Sequence, residues 1–188
     1  MRRAGARVAP GPGGPGTVGR VGLPPIVVMG VSGAGKSTIA AALAERIGGV
    51  YLDADAFHPA SNVSKMSHGV PLTDEDRLPW LTAVGRAIRE HTGQGRAVVM
   101  ACSALRRTYR ERIRAEEPAA YFILLTATRE ELERRLQARK GHFMPPSLLD
   151  SQLATLEPLA SNERGVSINV HGSERDVVDR ALAAVEED

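Results

Sequence analysis

Cysteine is almost missing from this chain of 188 residues, with Cys102 the single instance. That excludes an intramolecular disulfide and any two-cysteine metal site, and makes a reducing cytoplasm the expected compartment. Aromatic residues are scarce as well: one Trp, three Tyr and three Phe offer few platforms for stacking nucleic-acid bases. No apolar run approaches the roughly 18 residues that a membrane-spanning helix needs, so neither a membrane nor a nucleic acid is an expected partner. Lysine is the third scarcity. Of 24 basic residues only Lys36, Lys65 and Lys140 are lysine. A compact ammonium and a planar guanidinium are not interchangeable at a phosphate or hydroxyl, so each of the three is a suspect.

The rest of the composition is ordinary for a globular protein, at 43% hydrophobic and 24% charged residues, and the length suits one domain. The net charge of +2 is unevenly spread. Residues 1–24 hold Arg2, Arg3, Arg7 and Arg20 and no acid, which leaves 20 basic and 22 acidic residues, or −2, in 25–188. The basic segment is rich in Gly and Pro, cannot bury enough apolar surface to offset its ordering entropy, and reads as a disordered tail. It lacks both the apolar stretch of a secretory signal and the amphipathic helix of a transit peptide. Residues 25–188 read as a single folded domain.

Apolar runs alternate with helical patterns from Pro25 onward, which is the rhythm of an α/β protein. Ile26–Met29, Ala97–Ala101 and Tyr121–Leu125 are continuously apolar, as expected of parallel strands covered on both faces; Val50–Leu52 and Val166–Val170 are shorter candidates. Apolar residues four apart mark amphipathic helices through Ile39, Leu43 and Ile47, through Leu105, Tyr109 and Ile113, and through Val177, Ala181 and Val185. Thr73 and Asp76 have the spacing of a capping box, and Pro79 is expected to start or kink a second segment through Trp80 and Ile88. The sum is a five-stranded, doubly wound parallel sheet, in which ligands sit beyond the carboxyl ends of the strands.

Directly after the first strand, Gly30-Val31-Ser32-Gly33-Ala34-Gly35-Lys36-Ser37 matches the phosphate-loop pattern G-x-x-x-x-G-K-[ST] at every fixed position. The glycines let backbone N–H groups and a helix N-terminus surround a phosphate, Lys36 reaches the terminal phosphates, and the Ser37 hydroxyl suits Mg²⁺. A nucleoside triphosphate is the implied ligand. The second strand runs into Asp53-Ala54-Asp55-Ala56-Phe57-His58-Pro59, which is read as two carboxylates at alternate positions of one strand edge. One would hold the water shell of Mg²⁺ and the other would orient and deprotonate an attacking hydroxyl. The alternative is an exposed acidic turn whose aspartates cap the next helix, and His58 is then a turn histidine without a ligand. No acid follows the third strand at Cys102-Ser103-Ala104-Leu105-Arg106-Arg107, so Asp53 is left for the metal. Arg135, Arg139 and Lys140 end a charged helix and run into Gly141-His142-Phe143-Met144-Pro145-Pro146. That is either a solvated face or a lid that brings cations over a transferring phosphoryl group. Cys102, with no candidate base beside it, reads as a small buried residue.

These segments together resemble the bacterial gluconokinases of the shikimate-kinase-like group. The resemblance runs in collinear order over about residues 26–160. Its more specific parts are His58-Pro59, Lys65-Met66, Pro79-Trp80-Leu81 and Arg139-Lys140-Gly141-His142-Phe143. It implies a P-loop fold with a lid at about 139–147, the cofactors ATP and Mg²⁺, and phosphorylation of D-gluconate at its 6-hydroxyl, by a homodimer. ATP would be bound by Gly30, Val31, Ser32, Gly33, Ala34, Gly35, Lys36, Ser37 and Thr38 together with Arg135 and Arg139. The implied catalytic residues are Lys36, Asp55 and Arg139, and the metal side is Ser37 and Asp53. Candidates for gluconate are Asp55, His58, Lys65, Arg77, Arg106 and His142. Ser161-Asn162-Glu163-Arg164 departs from the family pattern and is expected to touch only nucleotide-side or surface details. Two rivals remain: a kinase for another small acid such as shikimate, and a phosphate-loop ATPase acting in assembly or nucleic-acid remodelling.

A shortened protein beginning at Leu23 is expected to keep its melting temperature and its turnover, because a disordered tail outside the site contributes to neither. Thermal unfolding and a coupled ADP assay check this.

Overall fold

The structure, a computed structural model, describes residues 22–138 and 146–188. Nearly all of the expected tail, and with it Arg2, Arg3, Arg7 and Arg20, lies outside the described residues. The first strand, β1 (Ile26–Met29), lies at the centre of the sheet, with β3 (Val98–Ala101) on one side and β4 (Tyr121–Thr126) on the other. The edges are β2 (Val50–Asp53) beside β3 and β5 (Gly165–Asn169) beside β4. All four pairings are parallel, in the order β2-β3-β1-β4-β5. Each strand lies within a residue or so of the expected run, because continuous burial of both faces is what a covered parallel sheet requires.

The pleat divides each central strand between two cores. Ile26, Val28, Val99, Ala101, Ile123 and Leu125 face α1 (Lys36–Ile47) and α7 (Glu174–Glu186). Val27, Met29, Val98, Met100, Phe122 and Leu124 face α3 (Asp74–Gly93) and α4 (Arg107–Glu116). The remaining helices are α2 (Ala60–Ser67), α5 (Arg129–Ala138) and α6 (Pro146–Thr155). No helix among the described residues is long and apolar enough to cross a membrane.

Four local expectations are changed by the structure. Leu105 precedes α4 rather than lying in it; its buried side chain belongs to the turn leaving β3, whose backbone oxygen accepts from the Glu157 N–H at 2.8 Å. Pro79 neither starts nor interrupts a helix. It lies inside one continuous α3, where the carbonyl it leaves without an N–H partner belongs to exposed Glu75 and can be hydrated. The expected capping box is present: Thr73 Oγ1 accepts from Asp76 N–H and Asp76 Oδ2 from Thr73 N–H. Asp55 leaves the strand edge, because β2 ends at Asp53 and a 3-10 turn, Ala54–Phe57, begins there.

The fourth change concerns Glu163, whose segment was expected to touch only nucleotide-side or surface details and which is in fact buried, with its side chain 2% exposed. Arg110, wholly buried on α4, donates Nε and Nη2 to its two carboxylate oxygens at 2.7 and 2.6 Å. Arg110 Nη1 also reaches Ala104 O, Leu105 O and Glu157 O, so one guanidinium joins the turn after β3 to the segment after α6. Burial works to raise the Glu163 pKa, but Arg110, the Ala160 N–H and Arg114 outweigh it and hold it down to about 2.

Removing one partner of such a buried pair leaves an uncompensated charge. Glu163→Ala is therefore expected to lose about 3–5 kcal/mol in denaturant unfolding. The ionised carboxylate is favoured in the folded state, so in the wild type this contribution is complete above pH 4.5 and drains away as pH falls toward about 2. The variant should lack that acid-side slope.

Candidate active site

The phosphate loop leaves β1 at Gly30, whose φ is 139° and whose place a side chain could not take: a Cβ there would lie 2.8 Å from Leu125 O. Gly33 and Gly35 also have positive φ, 83° and 94°, and α1 begins immediately at Lys36, so its N-terminal N–H groups face the loop. Lys36 Nζ donates to Val31 O at 3.0 Å, and the Ser32 N–H donates to Gln152 Oε1 on α6 at 2.7 Å. Behind the loop is a cavity of about 250 Å³ lined by Gly33, Gly35, Thr38, Arg135, Val170 and Gly172. Arg135 is held there by Glu131, with Nε 2.7 Å from Oε1, and by Val170 O.

The two carboxylates after β2 have different surroundings. Asp53 caps the 3-10 turn by accepting the Asp55 N–H at 3.0 Å, and its other oxygen accepts from Tyr51 Oη at 3.1 Å. The Tyr51 pKa is raised by burial and by Asp53, while the nearby Ser37 hydroxyl works to lower it. Asp55 projects outward with an 89% exposed side chain. Protein crowding around the cleft and the like charge of Asp53 raise its pKa, while His58 and Lys36 oppose the rise.

Beyond Asp55 the His58 ring stacks on Trp80, with centroids 4.2 Å apart and planes 12° apart. Trp80 Nε1 in turn donates to Ala54 O at 2.7 Å. Asn62 Nδ2 donates to Asp76 O, which identifies it as the amide nitrogen and makes the facing His58 Nδ1 an acceptor at 3.4 Å. The proton of neutral His58 is thus on Nε2, 4.0 Å from Asp55 Oδ1. Burial lowers the pKa of this ring, and Asp55 opposes that.

A basic cluster follows. The guanidiniums of Arg77 and Arg106 lie 5.7 and 5.8 Å from the Tyr109 ring centre. Asp74 accepts from Arg106 at 2.7 Å and from the Tyr109 hydroxyl. Arg77 Nη2 donates to Leu72 O, while its Nε is buried with no hydrogen-bond partner among the described residues. Lys65 Nζ is 2.7 Å from both oxygens of Asp76, so this lysine holds α2 to the start of α3. Cys102 is buried, and burial pushes its thiol up to about 12, which leaves it inert. Arg139, Lys140 and His142 lie outside the described residues, as does most of the expected lid; positions 146 and 147 of that range open α6.

The structure thus gathers Lys36, Ser37, Asp53, Asp55 and His58 around the carboxyl ends of β1 and β2, with Arg77 and Arg106 beyond them. Sequence reasoning missed Tyr51, Asp74, Tyr109 and Gln152. Tyr51 carried a usable signal, since it lies two residues before Asp53 on the same strand face. Gln152 carried none, because its partner Ser32 is 120 residues away.

A parallel sheet with a phosphate loop opening α1 and paired carboxylates after β2 defines a phosphate-loop kinase. A family model described as an AAA domain matches residues 26–159. The gluconokinase of Gluconobacter oxydans is 48% identical over 152 residues, covering 80% of this chain and 85% of its own. A solved gluconokinase from Sinorhizobium meliloti aligns with TM-score 0.79 at 43% identity, covering 87% of this chain and 92% of that one. An unliganded sugar kinase from Janibacter aligns with TM-score 0.81 at 42% identity, covering 87% and 95%. The chain belongs to the gluconokinase family.

Neutral His58 is favoured by the fold, so its contribution to stability is complete above pH 6.5 and is lost as pH falls below that value. His58→Phe keeps a flat ring on Trp80 and removes the titration. Its melting temperature should therefore decline less steeply than that of the wild type between pH 6.5 and 5, although His91, whose pKa burial also lowers, keeps part of the slope in both.

Proposed function

We propose that this chain transfers the γ-phosphoryl group of ATP to the 6-hydroxyl of D-gluconate, giving 6-phosphogluconate and ADP. The observation that carries the reading is Asp55, in the turn after β2 and near enough to Lys36 and His58 to feel their charge, in a chain of the gluconokinase family. Lys36 and the loop N–H groups take the phosphates. The cavity walled by Thr38, Arg135 and Gly172 takes the rest of the nucleotide.

Ser37, a hydroxyl at the start of α1, and Asp53, a carboxylate at the end of β2, are oxygen donors that fit Mg²⁺, which is held by one or two carboxylates and substrate phosphates rather than by a closed protein cage. When bound, Mg²⁺ neutralises charge developing on the phosphates. Asp55 does the protein's part of the chemistry. It accepts a hydrogen bond from the 6-hydroxyl, orients it toward the γ-phosphorus, and takes its proton as the new O–P bond forms. A carboxylate with a raised pKa is a better base than an ordinary one. His58, with Nε2–H toward Asp55, steadies that carboxylate.

Gluconate needs a cation for its carboxylate at the far end from the reacting hydroxyl. Arg77, with an unsatisfied Nε, and Arg106 are suited to it, since guanidinium meets carboxylate in a bidentate fork. Lys65, neutralised by Asp76, suits the wall of this site better than contact with substrate. Arg139 and His142 belong to the same reading as cations above the phosphates and the sugar acid, and residues 139–147 as the lid. A cytoplasmic homodimer completes it, supported by the lone cysteine and by the family resemblance.

A panel of sugar acids and shikimate with coupled ADP detection tests the assignment: turnover should be confined to gluconate and its near relatives, and turnover with shikimate alone rejects it. Within gluconate turnover, Asp55→Asn should lower kcat by about 10²–10⁴ and leave ATP affinity nearly unchanged. Undiminished kcat removes Asp55 from the chemistry, and lost ATP binding moves it to the metal side.

A further inference from the structure

The peptide unit between Val31 and Ser32 is held at both ends. Its carbonyl oxygen accepts from Lys36 Nζ at 3.0 Å, and its N–H donates to Gln152 Oε1 at 2.7 Å. Gln152 comes from α6, the far side of the chain in sequence, and is the side-chain partner of this loop amide. The phosphate-loop pattern leaves positions 31 and 32 unspecified, and loop N–H groups ordinarily serve phosphate oxygens.

The peptide stands between two glycines. Gly30 and Gly33 flank it with φ of 139° and 83°, regions open to glycine in more than one orientation. Rotation about ψ of Val31 and φ of Ser32 would turn the carbonyl toward the anion site and away from Lys36. A carbonyl there repels phosphate, and the ammonium loses one of its acceptors. An acceptor on the N–H opposes this rotation. It also polarises the same peptide, making the Val31 oxygen a stronger acceptor for Lys36. The chemistry of the side chain is suited to the place: a carboxamide accepts from N–H without adding negative charge where phosphates bind.

We infer that Gln152 is a positioning residue that locks the Val31–Ser32 peptide and so presets Lys36 before nucleotide arrives. It touches no reacting atom. The inference rests on the reading that the loop takes ATP, and it extends that reading to a residue outside the motif.

The test compares wild type, Gln152→Leu and Gln152→Glu. Four measurements are made on each: calorimetric binding of ADP and of a non-hydrolysable ATP analogue, amide hydrogen exchange at Ser32, thermal unfolding, and steady-state kinetics. Leucine fills the space without an acceptor; glutamate keeps an acceptor oxygen and adds charge. The Ser32 amide should be protected in the wild type and in Gln152→Glu and exchange faster in Gln152→Leu. Gln152→Leu should bind both nucleotides about tenfold more weakly, the equivalent of one hydrogen bond. KM for ATP should rise to match, KM for gluconate should stay unchanged, and the melting temperature should fall by no more than about 4 °C. Gln152→Glu should lose more affinity for the triphosphate analogue than for ADP, since the analogue carries the extra charge.

Gln152→Leu with wild-type nucleotide affinity, or with unchanged Ser32 exchange, overturns the inference. So does a larger drop in melting temperature with equal losses toward ATP and gluconate, which is the mark of a general structural role. A wild type that binds neither nucleotide takes down the ATP reading as well, and is thereby distinct from a wild type that binds while Gln152→Leu matches it.

Discussion

A phosphate loop has to hold several backbone N–H groups and one ammonium around a space where an anion will arrive, and nothing inside that space can hold them in advance. Here the constraint is met from outside. Gly30 lies against Leu125 O too closely for any side chain, its N–H donates to Ser103 O, and Gln152 holds the amide of Ser32. The loop is therefore bound to β4, to the turn after β3 and to α6 at once.

The chain from Gln152 to Glu163 is the common brace for both halves of the site. Gln152 meets the phosphate loop. Glu157 meets the turn after β3 twice, its N–H donating to Leu105 O and its carboxylate accepting the Arg107 N–H. Glu163 closes the arrangement by neutralising Arg110, whose remaining N–H groups reach the carbonyls of Ala104, Leu105, Glu157 and Pro158. Ala104 is the non-glycine residue with positive φ, 41°, among the described residues. Strain of this kind persists only where neighbours over-determine it, and the Arg110 guanidinium on its carbonyl is such a neighbour.

Three of the cations near the cleft have an acidic companion. Arg106 has Asp74, Lys65 has Asp76 and Arg135 has Glu131. An acid beside a guanidinium orients it and lowers the cost of its desolvation, and in the half-exposed Arg106 pair a ligand carboxylate can exchange for Asp74 at little loss. Lys65 differs, since both oxygens of Asp76 engage it while also closing the capping box of α3. The two carboxylates after β2 are likewise separated by company: Asp53 is tied to the Tyr51 hydroxyl and the Asp55 amide, and Asp55 projects outward.

Much of this was legible in the linear chain. Runs such as Ile26–Met29 and Tyr121–Thr126 are apolar at every position because both faces of a parallel strand are buried, and that needs no partner to be recognised. The loop from Gly30 to Ser37 and the capping box of Thr73 and Asp76 are likewise local, since the atoms that satisfy them are within a few residues. Asp55 was legible as a carboxylate following the second strand but not as a residue off it, because the turn begins where Asp53 captures the Asp55 N–H, a competition that spacing does not reveal. Glu163 was not recognised as a buried partner for a related reason: nothing local distinguishes it until a buried arginine 53 positions away is brought to it. Gln152 was silent, its partner having been chosen by the packing of α6 against the loop. The sequence by itself determined the strands, the phosphate loop and the family, because these depend on short-range pattern. Which charges are buried and which polar groups find distant partners were decided only in the tertiary structure, where remote segments supply the hydrogen bonds that buried or crowded polar groups cannot do without.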